Sequence, residues 1–94
     1  MVSVRFSISA WHAFRSLSDD DPTRTEIERI VFDLVERGEA PAGARASEWP
    51  WGTGTTPGYA IELSTVTGFV ACASLVDPHT QETFIGVVHI VIER

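Results

Sequence analysis

The segment Asp21–Gly38 constrains this chain more than any other. Ile27, Ile30, Val31, Leu34 and Val35 fall at i, i+3, i+4, i+7 and i+8, the apolar stripe of an amphipathic helix. Both ends of the helix are marked. Asp21 or Thr23 can cap it, Pro22 suits the first turn, and Thr23 with Glu26 has the spacing of a capping box. Gly38 can take the left-handed conformation that closes a last turn. Such a stripe needs an apolar surface to lie on, and the flanking segments read as the strands that supply it.

Before the long helix, Val2, Val4, Phe6 and Ile8 alternate with Ser3, Arg5, Ser7 and Ser9, the pattern of a half-buried strand. Ser9 can then cap a short helix with apolar positions at Ala10, Ala13, Phe14 and Leu17, while Trp11 and His12 lie off that stripe. Ser18, three aspartates and Pro22 break this helix and turn the chain into the next one, so the two helices are expected to run antiparallel. On the long helix, Arg29, Asp33 and Arg37 are four apart on the outer side, a solvated face.

From Glu39 to Gly58 the character changes to small residues, glycines and prolines around Trp49-Pro50-Trp51. The segment reads as a long connection without secondary structure, of the kind that is functional or mobile. The remainder reads as β: a strand over 59–64, a turn at Val66-Thr67-Gly68, a strand from Phe69 to Val76, a turn at Asp77-Pro78-His79-Thr80 and a strand from Thr83 to Ile92. The expected fold is one α+β domain over residues 1–94. It has a four-stranded, mainly antiparallel sheet with two N-terminal helices packed on one face, in the order β-α-α-β-β-β. The last two strands are apolar on both faces, whereas a sheet covered on one side should alternate cleanly. Something covers the second face: the Trp segment, a second copy of the chain, or a partner.

Composition narrows the functional classes. An apolar content of 44% is ordinary for a globular protein and too high for disorder. Cys72 is the only cysteine, which rules out an internal disulfide and suits a buried apolar position in a reducing cytoplasm. The alternating N-terminus does not read as a signal peptide, and the C-terminal apolar run is broken by Gly86 and His89 and too short to span a bilayer. The expectation is a cytoplasmic chain with no membrane segment. Its net charge of −6 is concentrated between Asp19 and Glu39, which hold eight acids against three arginines. With no lysine and seven scattered arginines, the chain lacks the basic footprint that nucleic-acid binding needs.

The element order, strand, helix, longer helix, loop and antiparallel meander, resembles that of the RelE/ParE superfamily of small toxins from bacterial toxin–antitoxin pairs. The ending Val87-Val88-His89-Ile90-Val91-Ile92-Glu93-Arg94 looks like the family's closing strand, with His89 and Arg94 matching its His and last Arg. The resemblance implies two modes of action. Ribonuclease members carry a strand-borne arginine for the scissile phosphate, but here the corresponding run is Gly68-Phe69-Val70-Ala71-Cys72, without a cation. ParE-like members act on DNA gyrase and need no such constellation.

Individual residues sort accordingly. His89, Glu62 and Arg94 are the candidate catalytic set, with His89 and Glu62 as acid and base and Arg94 as the cation. Trp49, Trp51, Tyr59, Phe69 and Phe84 are the candidate interaction residues, because aromatics are enriched at interface centres. Gly52 to Gly58 lacks GxGxxG spacing, has no lysine and leads into a strand, so it reads as a turn rather than a phosphate loop. Cys72 lies inside a strand, unsuited to attack. His12, His79 and His89 have no metal-site spacing, so neither a metal nor a cofactor is expected. The expected function is a RelE/ParE-like module acting by protein binding, with an antitoxin-like partner or a second copy in a homodimer. Its rivals are an RNA-cleaving toxin using His89 and a small-ligand module under Trp49 and Trp51.

Overall fold

Asp21 caps the long helix, α2 (Pro22–Arg37), by accepting from the Thr23 N–H at 2.9 Å. Pro22 occupies the first turn, and Gly38 closes the last one at φ 70°, its N–H donating to the Leu34 carbonyl. Gly38 is required twice over, since a Cβ there would also stand 2.7 Å from Val2 Cγ2. With Asp21 as cap, Glu26 lies two residues past the position from which a side chain reaches back to the cap. Its carboxylate instead accepts from the backbone N–H and hydroxyl groups of both Ser64 and Thr65. The capping-box expectation therefore fails, and Glu26 ties the helix to a turn of the sheet.

The structure is a computed structural model and describes residues 2–93. It is α+β, with two helices and a five-stranded mixed sheet: β1 (Val4–Phe6), α1 (Ile8–Arg15), α2, β2 (Arg45–Trp51), β3 (Gly54–Glu62), β4 (Thr67–Val76) and β5 (Thr83–Glu93). The strand order is β1-β5-β4-β3-β2. β1 runs parallel to β5, and the other pairs are antiparallel. The expected four strands are thus corrected to five, and the order to β-α-α-β-β-β-β.

The added strand lies in the segment read as a loop. Trp51 pairs with Gly54 across a two-residue turn in which Gly52 has φ 61°, the positive value required at the first central position of a type II′ hairpin. Pro50 is tolerated because β2 is an edge strand. Pro57 pairs with Glu48 of β2, while β3 meets β4 only from Gly58 onward, so the missing Pro57 N–H falls where no second neighbour needs it.

The cap of α1 lies two residues before the expected one. Ser7 rather than Ser9 accepts from Ala10 N–H at 3.1 Å, and its hydroxyl also donates to the Val88 carbonyl at 2.7 Å. The apolar stripes of both helices land on one sheet face. Ala10, Phe14, Leu17, Ile27 and Leu34 bury against Val70, Cys72, Ile85, Val87 and Ile90. Each fully buried side chain such as Ile27 or Leu34 contributes about 1.5–3 kcal/mol relative to exposure.

A β-bulge in β5 resolves the pattern of the last strand. Ala71 pairs with His89 and Cys72 with Val87, so Val88 is the extra residue. Before the bulge Ile85 and Val87 face the helices; after it Ile90 and Ile92 do, and Val91 turns away. In an unbroken strand Val91 would share the face of Ile85 and Val87.

Candidate functional site

Strand alternation puts Arg45, Ser47, Trp49 and Trp51 of β2 on the sheet face away from the helices. They share it with Glu62 of β3, Phe69, Ala71, Ala73 and Leu75 of β4, and Phe84, Val88 and His89 of β5. Ala71, Ala73, Leu75 and Val88 are buried there beneath Trp49, Phe69 and Phe84. The small residues make room for the indole. Trp49 stacks on Phe69 with ring centroids 5.7 Å apart and meets His89 edge-on at 6.4 Å. Gly58 admits the close approach, because a Cβ there would lie 2.9 Å from Trp49 Cδ1 and 2.1 Å from the Cys72 carbonyl oxygen. Of the three covers considered for this face, the chain's own Trp segment supplies one.

His89 and Glu62 share this face but not a hydrogen bond. Their register partners on β4 are Phe69 and Ala71, so two strand spacings and a two-residue offset separate their backbones by about 12 Å. Half-buried His89 has the Trp49 ring beside it, whereas exposed Glu62 pairs with Arg45. Arg94 lies outside the described residues. The cation that β4 lacks is thus present on the same face from β2, held by the carboxylate that would otherwise serve as base. Sequence reading missed Arg45 because a pairing with Glu62 exists only once β2 is a strand.

The interaction candidates separate similarly. Trp49, Phe69 and Phe84 are half-buried on the second face, and Trp51 is exposed at its far end. Tyr59 points to the helix side, where burial first, and then the neighbouring Cys72, push its phenol up to about 12. Burial likewise raises the Cys72 thiol to about 12, so it carries no thiolate for nucleophilic work. Among the described residues, no group of three or more His, Cys, Asp or Glu side chains could hold a metal ion.

A second surface lies on the opposite side of the molecule. Phe6, Trp11, Phe14, Val31, Phe32 and Val35 line a groove of about 380 Å³ between the helices, with Glu28 at its rim. Phe6, Trp11 and Phe14 form an aromatic cluster with centroids 5.8–5.9 Å apart. Trp11, Phe32 and nearby Ile8 are 45%, 62% and 78% exposed. The sequence does carry a signal for this groove, since Trp11 and Phe32 both lie off their helix stripes.

Comparison with family models, curated proteins and solved structures gives no match to this chain.

Proposed function

We propose that this protein is a RelE/ParE-like module that works by binding another protein, with the groove between α1 and α2 as the docking surface. The exposure of Trp11 and Phe32 on one apolar groove, with Ile8 exposed about one turn before Trp11 on α1, carries this reading, because contiguous exposed apolar surface marks interaction sites. The element order supports the family likeness, with one strand more than the resemblance implies. Glu28 already pairs with Arg24, whose guanidinium lies over Phe14, and Arg15 lies over Trp11, so the partner is expected to present mainly apolar residues to this groove.

The partner expected on this reading is an antitoxin-like product of the adjacent reading frame. Co-expression should give a stoichiometric complex, and Phe32→Glu, at an exposed position, should dissociate it while leaving the fold intact. A neighbouring product that does not bind, or a complex indifferent to Phe32→Glu, overturns the reading.

RNA cleavage is the second reading, favoured by the presence of His89, Glu62 and Arg45 on one sheet face. It requires His89→Ala to abolish ribonuclease activity. Wild-type protein inert on both free RNA and translating ribosomes would remove it.

A further inference from the structure

The second sheet face curls far enough for its two edge strands to approach one another. Trp51, on edge strand β2, faces Arg5, on edge strand β1, across a cavity of about 210 Å³ whose walls also include Leu75, Phe84, Gly86 and Val88. Its lining reaches Val88, next to His89, and shares Phe6 with the helix groove, but includes neither His89 nor Trp11 and Phe32.

We propose that it is a binding site for a small, neutral, planar aromatic molecule the size of one fused bicyclic ring system, stacked against Trp51. Size is the first argument. A dry apolar cavity of roughly 150 Å³ accommodates benzene, so one somewhat larger fits two fused rings. The walls are the second. Leu75, Phe84 and Val88 are apolar, and Gly86 keeps the floor open, since a Cβ there would stand 2.7 Å from Leu75 Cδ1. Trp51 is 49% exposed and would bury its free ring surface on a ligand. It is held beside a two-residue turn that limits how far its backbone can stray.

Polar accounting decides that the ligand is neutral. The Arg5 guanidinium lies 4.2 Å from the centre of the Phe84 ring and pairs with Asp77 at 2.8 Å, so its charge is already opposed. Ser7, also on the lining, both accepts from Ala10 N–H and donates to the Val88 carbonyl. Among the described residues, the buried side-chain atoms without a partner are Trp49 Nε1 and Tyr59 OH, and neither residue lines the cavity. No buried side-chain polar atom on the lining lacks a partner, so the walls do not ask for a charged ligand group.

The test is a titration of the full chain with indole, followed by amide and indole N–H chemical shifts. Saturable shifts are expected at the Trp51 Nε1–H, Gly86 and Val88, with a Kd below about 1 mM for a ligand of this size. Trp51→Ala, which removes a half-exposed side chain and should leave the remaining spectrum folded, is expected to weaken binding roughly tenfold. Phe32→Glu should leave the affinity unchanged, which separates this site from the helix groove and its proposed partner. Indole-3-acetate should bind no tighter than indole. Absence of saturable shifts, shifts centred on Trp11 and Phe32, an unchanged affinity in Trp51→Ala, or tighter binding of the anion would each overturn the proposal.

Discussion

The Glu26 carboxylate accepts from the backbone and hydroxyl groups of Ser64 and Thr65, and the Thr23 and Thr65 hydroxyls lie 2.8 Å apart beside it. Together they clamp the start of α2 to the β3–β4 turn. Burial acts to raise the Glu26 pKa, but the combined hydrogen bonds from Ser64 and Thr65 outweigh it and hold the carboxyl below its ordinary 4.5. A depressed folded-state pKa contributes stability above the unfolded value, and that contribution disappears as pH falls through the folded value. Glu26→Gln should therefore destabilise the protein by about 1–2 kcal/mol at neutral pH. The difference from wild type should shrink below about pH 4.5, as urea titrations across pH would record. A difference independent of pH would show that shape, not charge, carries the clamp. Asp77 is shifted the same way, first by the hydrogen bond from Arg5 and then by the His79 N–H, while burial opposes and the Thr80 N–H and the Arg5 charge add to the lowering. It thereby organises the β4–β5 turn and the Arg5 end of the second face together.

At the scale of elements, the helices were legible and the Trp hairpin was not. The α2 stripe and its glycine stop are local in sequence, and both hold in the structure. In β2, by contrast, Arg45, Ser47, Trp49 and Trp51 alternate with Ala46, Glu48 and Pro50, a period of two masked by proline and small residues. Pro50 argues against a strand only where both edges are paired, and an edge position is a property of the assembled sheet. The hairpin's contribution can be measured. Trp49→Ala would uncover Ala71, Ala73 and Val88, and is expected to cost about 2–3 kcal/mol, below the range for a fully buried Trp because Trp49 is only half-buried. Urea melts would read the loss, and increased binding of a hydrophobic dye would read the exposed face. A near-neutral substitution with no added dye binding would mean the indole does not cover this face in solution.

For the molecule as a whole, the decisive feature is that the sheet is apolar on both faces and is covered differently on each. One face carries two helices and the other its own hairpin, so the doubly apolar strands do not of themselves require a partner. Exposed large apolar side chains remain at Ile8, Trp11 and Phe32 on the helical side, and at Trp51 and Val76 on the sheet. No helix among the described residues is long and apolar enough to cross a membrane. Cys72 reports on the integrity of the whole. Fully buried beneath the helices, with its thiol pushed up to about 12, it should react with a disulfide reagent only through opening of the core. At pH 8 its labelling should be slowed roughly a thousandfold or more relative to unfolded chain, and should rise in urea in step with global unfolding. Fast labelling in native buffer would reveal a local route to the core.

The sequence by itself determined what depends on nearest neighbours along the chain. This comprises the two helices and their apolar faces, the glycine that ends α2, the β character of the last third, and the concentration of acid on the helical segment. Tertiary structure decided whatever depends on pairing between distant segments. It turned Glu26 from a cap into a clamp, made an edge strand of the Trp segment, and shifted the phase of β5 at Val88. It also joined Arg45 to Glu62 and placed two off-stripe aromatics, Trp11 and Phe32, around one groove. The physical reason is common to all of these. Periodicity shows which side of an element is apolar, but the neighbour that covers that side, or leaves it open, is chosen only when the sheet closes.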